Sequence, residues 1–559
     1  MWKIRASLLI TVLLIAACGK SADNSSPLAF VPVDTPFVMA NAEPAPEAAV
    51  QTWTRMMQGV WPSLLGVYDR MLDDLPDPGD AEIGKVKRVT AAILDEVRDR
   101  DTQDEWAQVG FSMQARGAFY GVGLVPVLRV ELADADKFRA MVARIEQKAG
   151  ASLTTARVDD QDLWTIALDK AEALIAIEGK HLVITVLPAN AEKSLRRRVL
   201  GLDRPGQSLE SSAGLIRFNK AEGYLAYGSG WIDFKRIIAL IDNDPGYAAF
   251  VGMLEETPPR LDATCRTEFE ALAGRAPRMV MGYTRFDGQH FTTSSRIDLD
   301  AVLATALMKL SSPPPGSAAT ATALYDIALS LPILKIKDFL IERSNAIVDA
   351  PFQCAALAPM NEAAARAKQQ LTQVVPPPLS DFTGLRLLIN RLDIPVSGSP
   401  DASAAILIGT SNPMGLIGMA QLAIPGLSDF KLALDGKAMD LPAGIIPTEV
   451  GYAPPMQIAA NDAALAVSLG DGIDLTAFVG APAAADGQLL HAAYTGAFYE
   501  VLGTMLTRFS AMLPDKQRAD LETQTALYRL YAQWIKSIDI RVNATPKGIE
   551  LIQDAQLNP

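Results

Sequence analysis

Three histidines, three cysteines and a serine set between two glycines are the side chains from which this chain could build a reaction centre. The histidines, His181, His290 and His491, lie far apart beside expected turns or strand edges, and none falls in an H-x-H or H-E-x-x-H spacing. Zinc needs several such donors converging from short fixed spacings, so no metal site is expected. Ser229 stands in Tyr227-Gly228-Ser229-Gly230, at an expected strand-to-helix turn where a nucleophile would be exposed. The G-x-S-x-G pattern is not completed, however, and a similar phrase ends in Thr495-Gly496, so a turn requirement accounts for the glycines. Ser428-Asp429-Phe430-Lys431 matches S-x-x-K but leads into an expected strand, whereas that chemistry needs the serine at a helix start. Gly121-Val122-Gly123 is followed by Pro126 where a dinucleotide loop needs glycine. Asp73, Asp74, Asp77, Asp80 and Glu82 offer oxygen ligands without the spacing of an EF-hand, and read as a solvated acidic loop. No catalytic set, cofactor or metal is expected. One apolar group remains: Met414, Leu416, Ile417, Met419 and Leu422 share an expected helix, as a core helix or an adaptable greasy surface would arrange them.

Cys18 is the residue with a definable chemistry. Lys3 and Arg5 precede an apolar run over residues 8–17, broken only by Thr11 and too short for a membrane-spanning helix. The run ends in Ile15-Ala16-Ala17-Cys18, which resembles the lipobox of bacterial lipoproteins. The resemblance implies a diacylglycerol on the Cys18 thiol, cleavage just before it, and usually acylation of the new amine. Two or three chains anchor stably, each buried methylene contributing roughly 0.8 kcal/mol. Residues 19–26 are small and polar, as a flexible tether should be. Gly19 stands where the enteric inner-membrane retention signal has aspartate, so the resemblance implies the outer membrane, facing the periplasm. With Cys18 lipidated, Cys265 and Cys354 remain in an oxidising compartment. A disulfide between them would close a loop of about ninety residues and contribute roughly 4 kcal/mol, the alternative being two buried thiols.

A length of 559 residues exceeds one ordinary domain, and 49% hydrophobic against 21% charged residues gives ample material for packed cores. Past the leader no run of eighteen apolar residues occurs, so only the lipid is expected to meet the membrane. The formal charge of −13 argues against nucleic acid as a partner, because phosphate binding needs a basic surface. The one dense basic run, Arg196-Arg197-Arg198, ends an expected helix, where cations suit the dipole.

Helical and strand periodicities alternate along the body. Residues 117–132 are expected as two strands and Asp134 as the cap of a helix ending near Gly150. Residues 173–187 form a hairpin turning at Glu178-Gly179-Lys180, residues 223–228 a strand and residues 231–241 a helix. A hairpin around Asp287-Gly288 follows. Ser311-Ser312-Pro313-Pro314-Pro315-Gly316-Ser317 reads as an interdomain linker, beyond which the same order of elements returns. The nearest phrases are Ala226 to Trp231 and Ala493 to Phe498. The expectation is an α+β protein with two tandem, duplicated domains, each a mainly antiparallel sheet with packed helices. The bounds are a signal peptide over 1–17, a tether over 18–26, domain 1 over 27–310, a linker over 311–319 and domain 2 over 320–559. The Leu-Pro, Asp-Thr-Pro and Tyr-Gly-Ser-Gly phrases faintly resemble uncharacterised bacterial extracytoplasmic proteins, which implies no function. The functional expectation is a non-enzymatic, lipid-anchored envelope protein that binds or scaffolds another envelope protein. The alternatives are a carrier of lipid or another hydrophobic ligand, and a hydrolase of envelope polymers or esters.

Overall fold

A computed structural model describes residues 26–73, 81–168, 170–241, 244, 247, 261–318, 323–393, 401–442, 445, 454–510 and 515–558. The signal peptide, Cys18, nearly all of the tether and the centre of the 73–82 acidic loop lie outside the described residues. The protein is α+β, with 41% helix and 31% strand. It divides into two units between Thr293 and Ser294.

The first unit contains β1 (Phe37–Ala40), α1 (Glu47–Asp73), α2 (Ala81–Arg98), α3 (Gln103–Gln108), β2 (Gly117–Val122), β3 (Val125–Glu131) and α4 (Ala135–Ala149). It continues with β4 (Thr154–Val158), β5 (Gln161–Leu168), β6 (Ala171–Glu178), β7 (His181–Pro188), α5 (Lys193–Leu200) and α6 (Gly214–Glu222). β8 (Ser229–Asp233), α7 (Phe234–Leu240), α8 (Ala263–Arg275) and β9 (Arg278–Phe286) complete it, and β10 (His290–Asp298) carries the point of division. The strands pair antiparallel in the order β4-β5-β6-β7-β3-β2-β1-β8-β9.

Both faces of this sheet are covered. Leu174, Ala176, Val183 and Leu187 enter a core with a 3-10 turn (Pro27–Phe30), α5 and α6. Their neighbours Ile175, Ile177, Leu182 and Ile184 enter another with α1, α2 and α4. Side chains alternate across a strand, so burial on both faces turns β6 and β7 into nearly continuous apolar runs. Helix α4 shows the matching helical pattern. Phe138, Met141, Val142, Ile145 and Ala149 are buried on one side, Asp134 Oδ1 accepts from the amides of Asp136 and Lys137, and Gly150 closes the helix at φ +58°.

The second unit runs through α9 (Ala301–Met308), β11 (Tyr325–Ser330), α10 (Ile333–Asp349), α11 (Ala358–Leu371), β12 (Phe382–Asp393), β13 (Asp401–Thr410) and α12 (Pro413–Ala423). Next come β14 (Met439–Asp440), β15 (Met456–Asn461), β16 (Ala464–Leu469), α13 (Leu475–Gly480) and β17 (Gln488–Thr495). It ends with α14 (Gly496–Ser510), α15 (Asp515–Trp534), β18 (Ile535–Thr545) and β19 (Gly548–Leu557). Its antiparallel order is β14-β15-β16-β13-β12-β11-β17-β18-β19. Setting β1 against β11 matches β2, β3, β5, β6, β7, β8 and β9 to β12, β13, β14, β15, β16, β17 and β18 in both chain order and sheet order. Helices fall in the same gaps: α1–α3 against α10–α11, α4 against α12, α5–α6 against α13, and α7–α8 against α14–α15.

Four expectations are corrected. Residues 223–228 form no strand, because Gly223 and Gly228 take left-handed φ of +76° and +66°. The helix expected from residue 231 begins at Phe234, since Ser229–Asp233 is strand and Asp233 Oδ1 caps α7 through the Arg236 amide. The Tyr227-Gly228 phrase thus precedes β8, whereas Tyr494-Thr495 closes β17, so the two phrases are not equivalent positions. The expected 311–319 linker is not where the chain divides; its described residues, 311–318, pack inside the second unit. Ser311 Oγ accepts from Gly487 N at 2.8 Å, Ser317 Oγ accepts from Ala484 N at 2.9 Å, and the Gly316 amide donates to the Ala481 carbonyl at 3.1 Å. Proline and serine suit such a bonded strap as well as a free linker, and composition does not separate the two.

Candidate functional site

Under α2 and α4 of the first unit lies a cavity of about 70 Å³. Its wall joins Trp106 at the end of α3, Phe111, Phe138 of α4 and Trp164 of β5 in a chain of edge-to-face rings 5.4–6.4 Å apart. Ile93, Val97, Met141, Val142, Ile145, Ile166 and Ile175 complete an apolar lining. Trp61 backs Trp106 and donates from Nε1 to the Val97 carbonyl at 3.0 Å, which fixes the inner wall. Among the described residues the one ionisable lining group is Glu96, 4% exposed. Its carboxylate accepts from Arg144 Nε and Nη2 at 3.1 and 3.0 Å and from Arg100 Nη2 at 3.1 Å, with Lys148 Nζ at 3.7 Å. Burial raises the carboxyl pKa, but the Arg144 bonds and the charges of Arg144, Arg100 and Lys148 outweigh it and hold the group below its ordinary value. The arrangement is a greasy pocket with three cationic side chains gathered around one buried acid at its rim.

A carboxyl depressed on folding stabilises the fold above its unfolded pKa, and that contribution disappears as pH falls through the depressed value. Glu96→Gln is therefore expected to cost about 2 kcal/mol at neutral pH and much less in acid. Denaturant unfolding of both proteins at neutral and acid pH measures this.

A second, more open groove of about 160 Å³ borders the same unit between α1 and the ends of β8 and β9. Trp53 is 43% exposed at its edge, and Tyr283 stacks on Phe286 with centroids 4.9 Å apart. Asn41 Oδ1 accepts from the Gly228 amide at 2.7 Å, which ties the groove floor to β1. A side chain at Gly228 would meet the Tyr283 ring 2.5 Å away, so the glycine serves both the turn and the ring. A wide depression of about 410 Å³ in the second unit is lined by Lys309, Lys335, Asp338 and Glu342, charges of both signs without convergence.

The histidines and serines singled out by sequence are not brought together. Ser229 lies within β8, fully buried against β1, and not on an exposed elbow. His181 opens β7 and is 1% exposed, with Phe30 set edge-on to its ring at 5.2 Å. His290 sits in the Asp287 turn, where Asp287 Oδ1 accepts from the Gln289 and His290 amides. His491 is mid-strand in β17, not at an edge, and its Nε2 pairs with Asp539 Oδ2 at 2.7 Å. Gly123 turns the β2–β3 hairpin at φ +60°, beside the Asp244 carboxylate that accepts from Leu124 N. Cys265, in the first turn of α8, and Cys354, just before a 3-10 turn (Ala355–Leu357), are buried half-cystines. Arg196 pairs with Glu172, and Arg197 with Asp159 and Asp203, so two of the three arginines of the α5 basic run are taken by local acids. Among the described residues no group of His, Cys, Asp and Glu is placed to hold a metal ion, and no helix is long and apolar enough to cross a membrane.

Two buried arginines had no counterpart in the sequence reading. Arg386 of β12 pairs bidentately with Asp326 of β11, both nearly inaccessible, under the ring of Phe478. Arg129 of β3 is fully buried under Phe30 with no carboxylate bonded to it. A lone arginine within the apolar run Val125–Glu131 was the signal available. Compared with family models, curated proteins and solved structures, the chain matches none of them.

Proposed function

We propose that this chain is a non-enzymatic, lipid-anchored envelope protein, held by acylated Cys18 on the periplasmic side of the outer membrane, whose first unit binds a small hydrophobic ligand. The observation that carries the ligand class is the aromatic cavity between α2, α4 and β5, apolar except for Glu96. Ligand sites of this kind combine a mostly apolar wall with a few fixed polar groups at the mouth. Arg144 and Lys148, about half exposed beside Glu96, are placed to meet a polar or anionic end of such a ligand.

The test is binding of xenon, an apolar probe small enough for a cavity of about 70 Å³, to the full soluble chain, read by the xenon chemical shift, with native mass spectrometry of the protein as purified. The xenon shift should move on binding, and Val142→Phe, which fills the cavity from α4, should weaken it at least tenfold. Circular dichroism identifies a variant that has merely unfolded, in which case Ile93→Phe repeats the experiment from α2. A wild-type chain that neither binds the probe nor carries a co-purified ligand ends this reading.

A second reading, scaffolding of another envelope protein, is favoured by α12. There Met414, Met419 and Leu422 are 51%, 46% and 90% exposed, while Leu416 and Ile417 pack inward. Soft exposed side chains of this kind adapt to a partner surface. The hydrolase reading draws nothing from Ser229, whose hydroxyl is buried in a strand. We also infer that the units arose by duplication; the matched strand order and helix placement support it, the phrase alignment does not.

A further inference from the structure

We propose that the first unit holds a halide-sized monovalent anion beneath its N-terminal 3-10 turn, bound by Arg129, Tyr120 and His181. These three side chains project from neighbouring strands β3, β2 and β7 onto one face of the sheet, with 0%, 0% and 1% of their surface exposed. Arg129 Nη2 donates to the Leu200 carbonyl at 2.6 Å, but its Nε and Nη1 have no acceptor. The Tyr120 hydroxyl adjoins the guanidinium without a hydrogen bond of ordinary geometry, and His181 Nε2 is likewise unpartnered. Four polar atoms of three fully buried groups are thus left open around one positive charge.

The acids nearby do not close this account. Glu131 is taken by Arg116 at 2.5 Å and Lys180 at 3.2 Å, and Glu178 acts on Arg129 only through space. Arg204 adds positive charge: its guanidinium and that of Arg129 lie 3.8 and 3.7 Å from the Phe30 centroid, which places them on opposite faces of the ring. Burial, then Arg129, push His181 down to about 4, so its imidazole is neutral at ordinary pH and able to donate to an anion without adding charge.

The second unit shows how this fold neutralises such a group. Arg386 is buried on the face covered by α13, and Arg129 on the face covered by α5, the matching insertion. There Asp326 supplies the carboxylate within the protein. The first unit has the cation, the stacked aromatic ring and no such acid. An uncompensated buried charge is costly, and water would satisfy the hydrogen bonds without cancelling it.

The test uses the full chain with chloride or bromide exchanged for gluconate at constant ionic strength. Thermal unfolding should shift upward with the halide and saturate. Bromide soaked into crystals should give an anomalous peak beside Arg129. Tyr120→Phe, which removes one hydroxyl and keeps the ring, should raise the half-saturating bromide concentration at least tenfold. Arg129→Met should abolish the halide dependence. Equal unfolding in halide and gluconate, a halide effect undiminished in Tyr120→Phe, or no bromide peak at Arg129 would each overturn the proposal.

Discussion

Asp326→Ala is expected to destabilise the second unit by about 3–5 kcal/mol, because it strands Arg386 as a buried, unpaired cation. The pair is made by Arg386 Nε to Asp326 Oδ1 at 3.0 Å and Nη2 to Oδ2 at 2.7 Å. The two side chains are 6% and 3% exposed, so solvent cannot take over either partner's role. The guanidinium is further confined by Phe478, 4.5 Å from its carbon, and by Gly316, where any side chain would collide with Nη1. β11, β12 and β13 meet at this point, so local opening there exposes the centre of the unit's sheet. Amide exchange across those strands should accelerate roughly a hundred- to thousandfold, a tenfold change corresponding to about 1.4 kcal/mol. Asp326→Leu combined with Arg386→Met should recover most of the loss, since removing both charges together leaves nothing unpaired. Additive losses in the double variant would mean that the two side chains act independently and that a stranded Arg386 is not the cause of the loss.

The architecture was legible where one local rule decides. Asp134 and Gly150 bracket α4 by cap chemistry, and the β6–β7 turn follows from Gly179 at φ +57°. β8 was not legible, because Gly228-Ser229-Gly230 looks like a turn. Gly230 is instead the residue that lets β8 lie against the Val38 carbonyl of β1, a contact made over almost two hundred positions of chain. The Ser311 to Ser317 strap failed for a related reason: its partners, Gly487 and Ala484, are equally remote. The α+β class survived these local errors because it depends on the sum of many strands and helices. The sites were hidden more completely. Glu96, Phe138 and Trp164 come from α2, α4 and β5, and no short motif links them. Arg129 announces itself only as the one cation in a largely apolar strand, and whether such a charge is paired is a property of the folded sheet.

The other large effect concerns where the protein is, and Cys18→Ser should change it entirely. The thiol is the acceptor that the lipobox resemblance assigns to the diacylglycerol, and serine offers no equivalent nucleophile to that transfer. Membrane attachment at about 0.8 kcal/mol per buried methylene depends on two or three whole chains, so losing them removes essentially all of the binding energy. No apolar helix among the described residues offers a substitute anchor. Fractionation should move the folded chain from the membrane to the soluble periplasmic fraction, with unchanged circular dichroism. A variant that stays in the membrane would remove the anchor from the proposal. The released protein also tests the remaining cysteines: peptide mapping without reductant should recover Cys265 and Cys354 in one linked pair. If each is found alkylated as a free thiol, the bridge fails while the anchor stands, because the two rest on different chemistry: one on acyl transfer to an N-terminal cysteine, the other on oxidation of two thiols buried far from it in sequence.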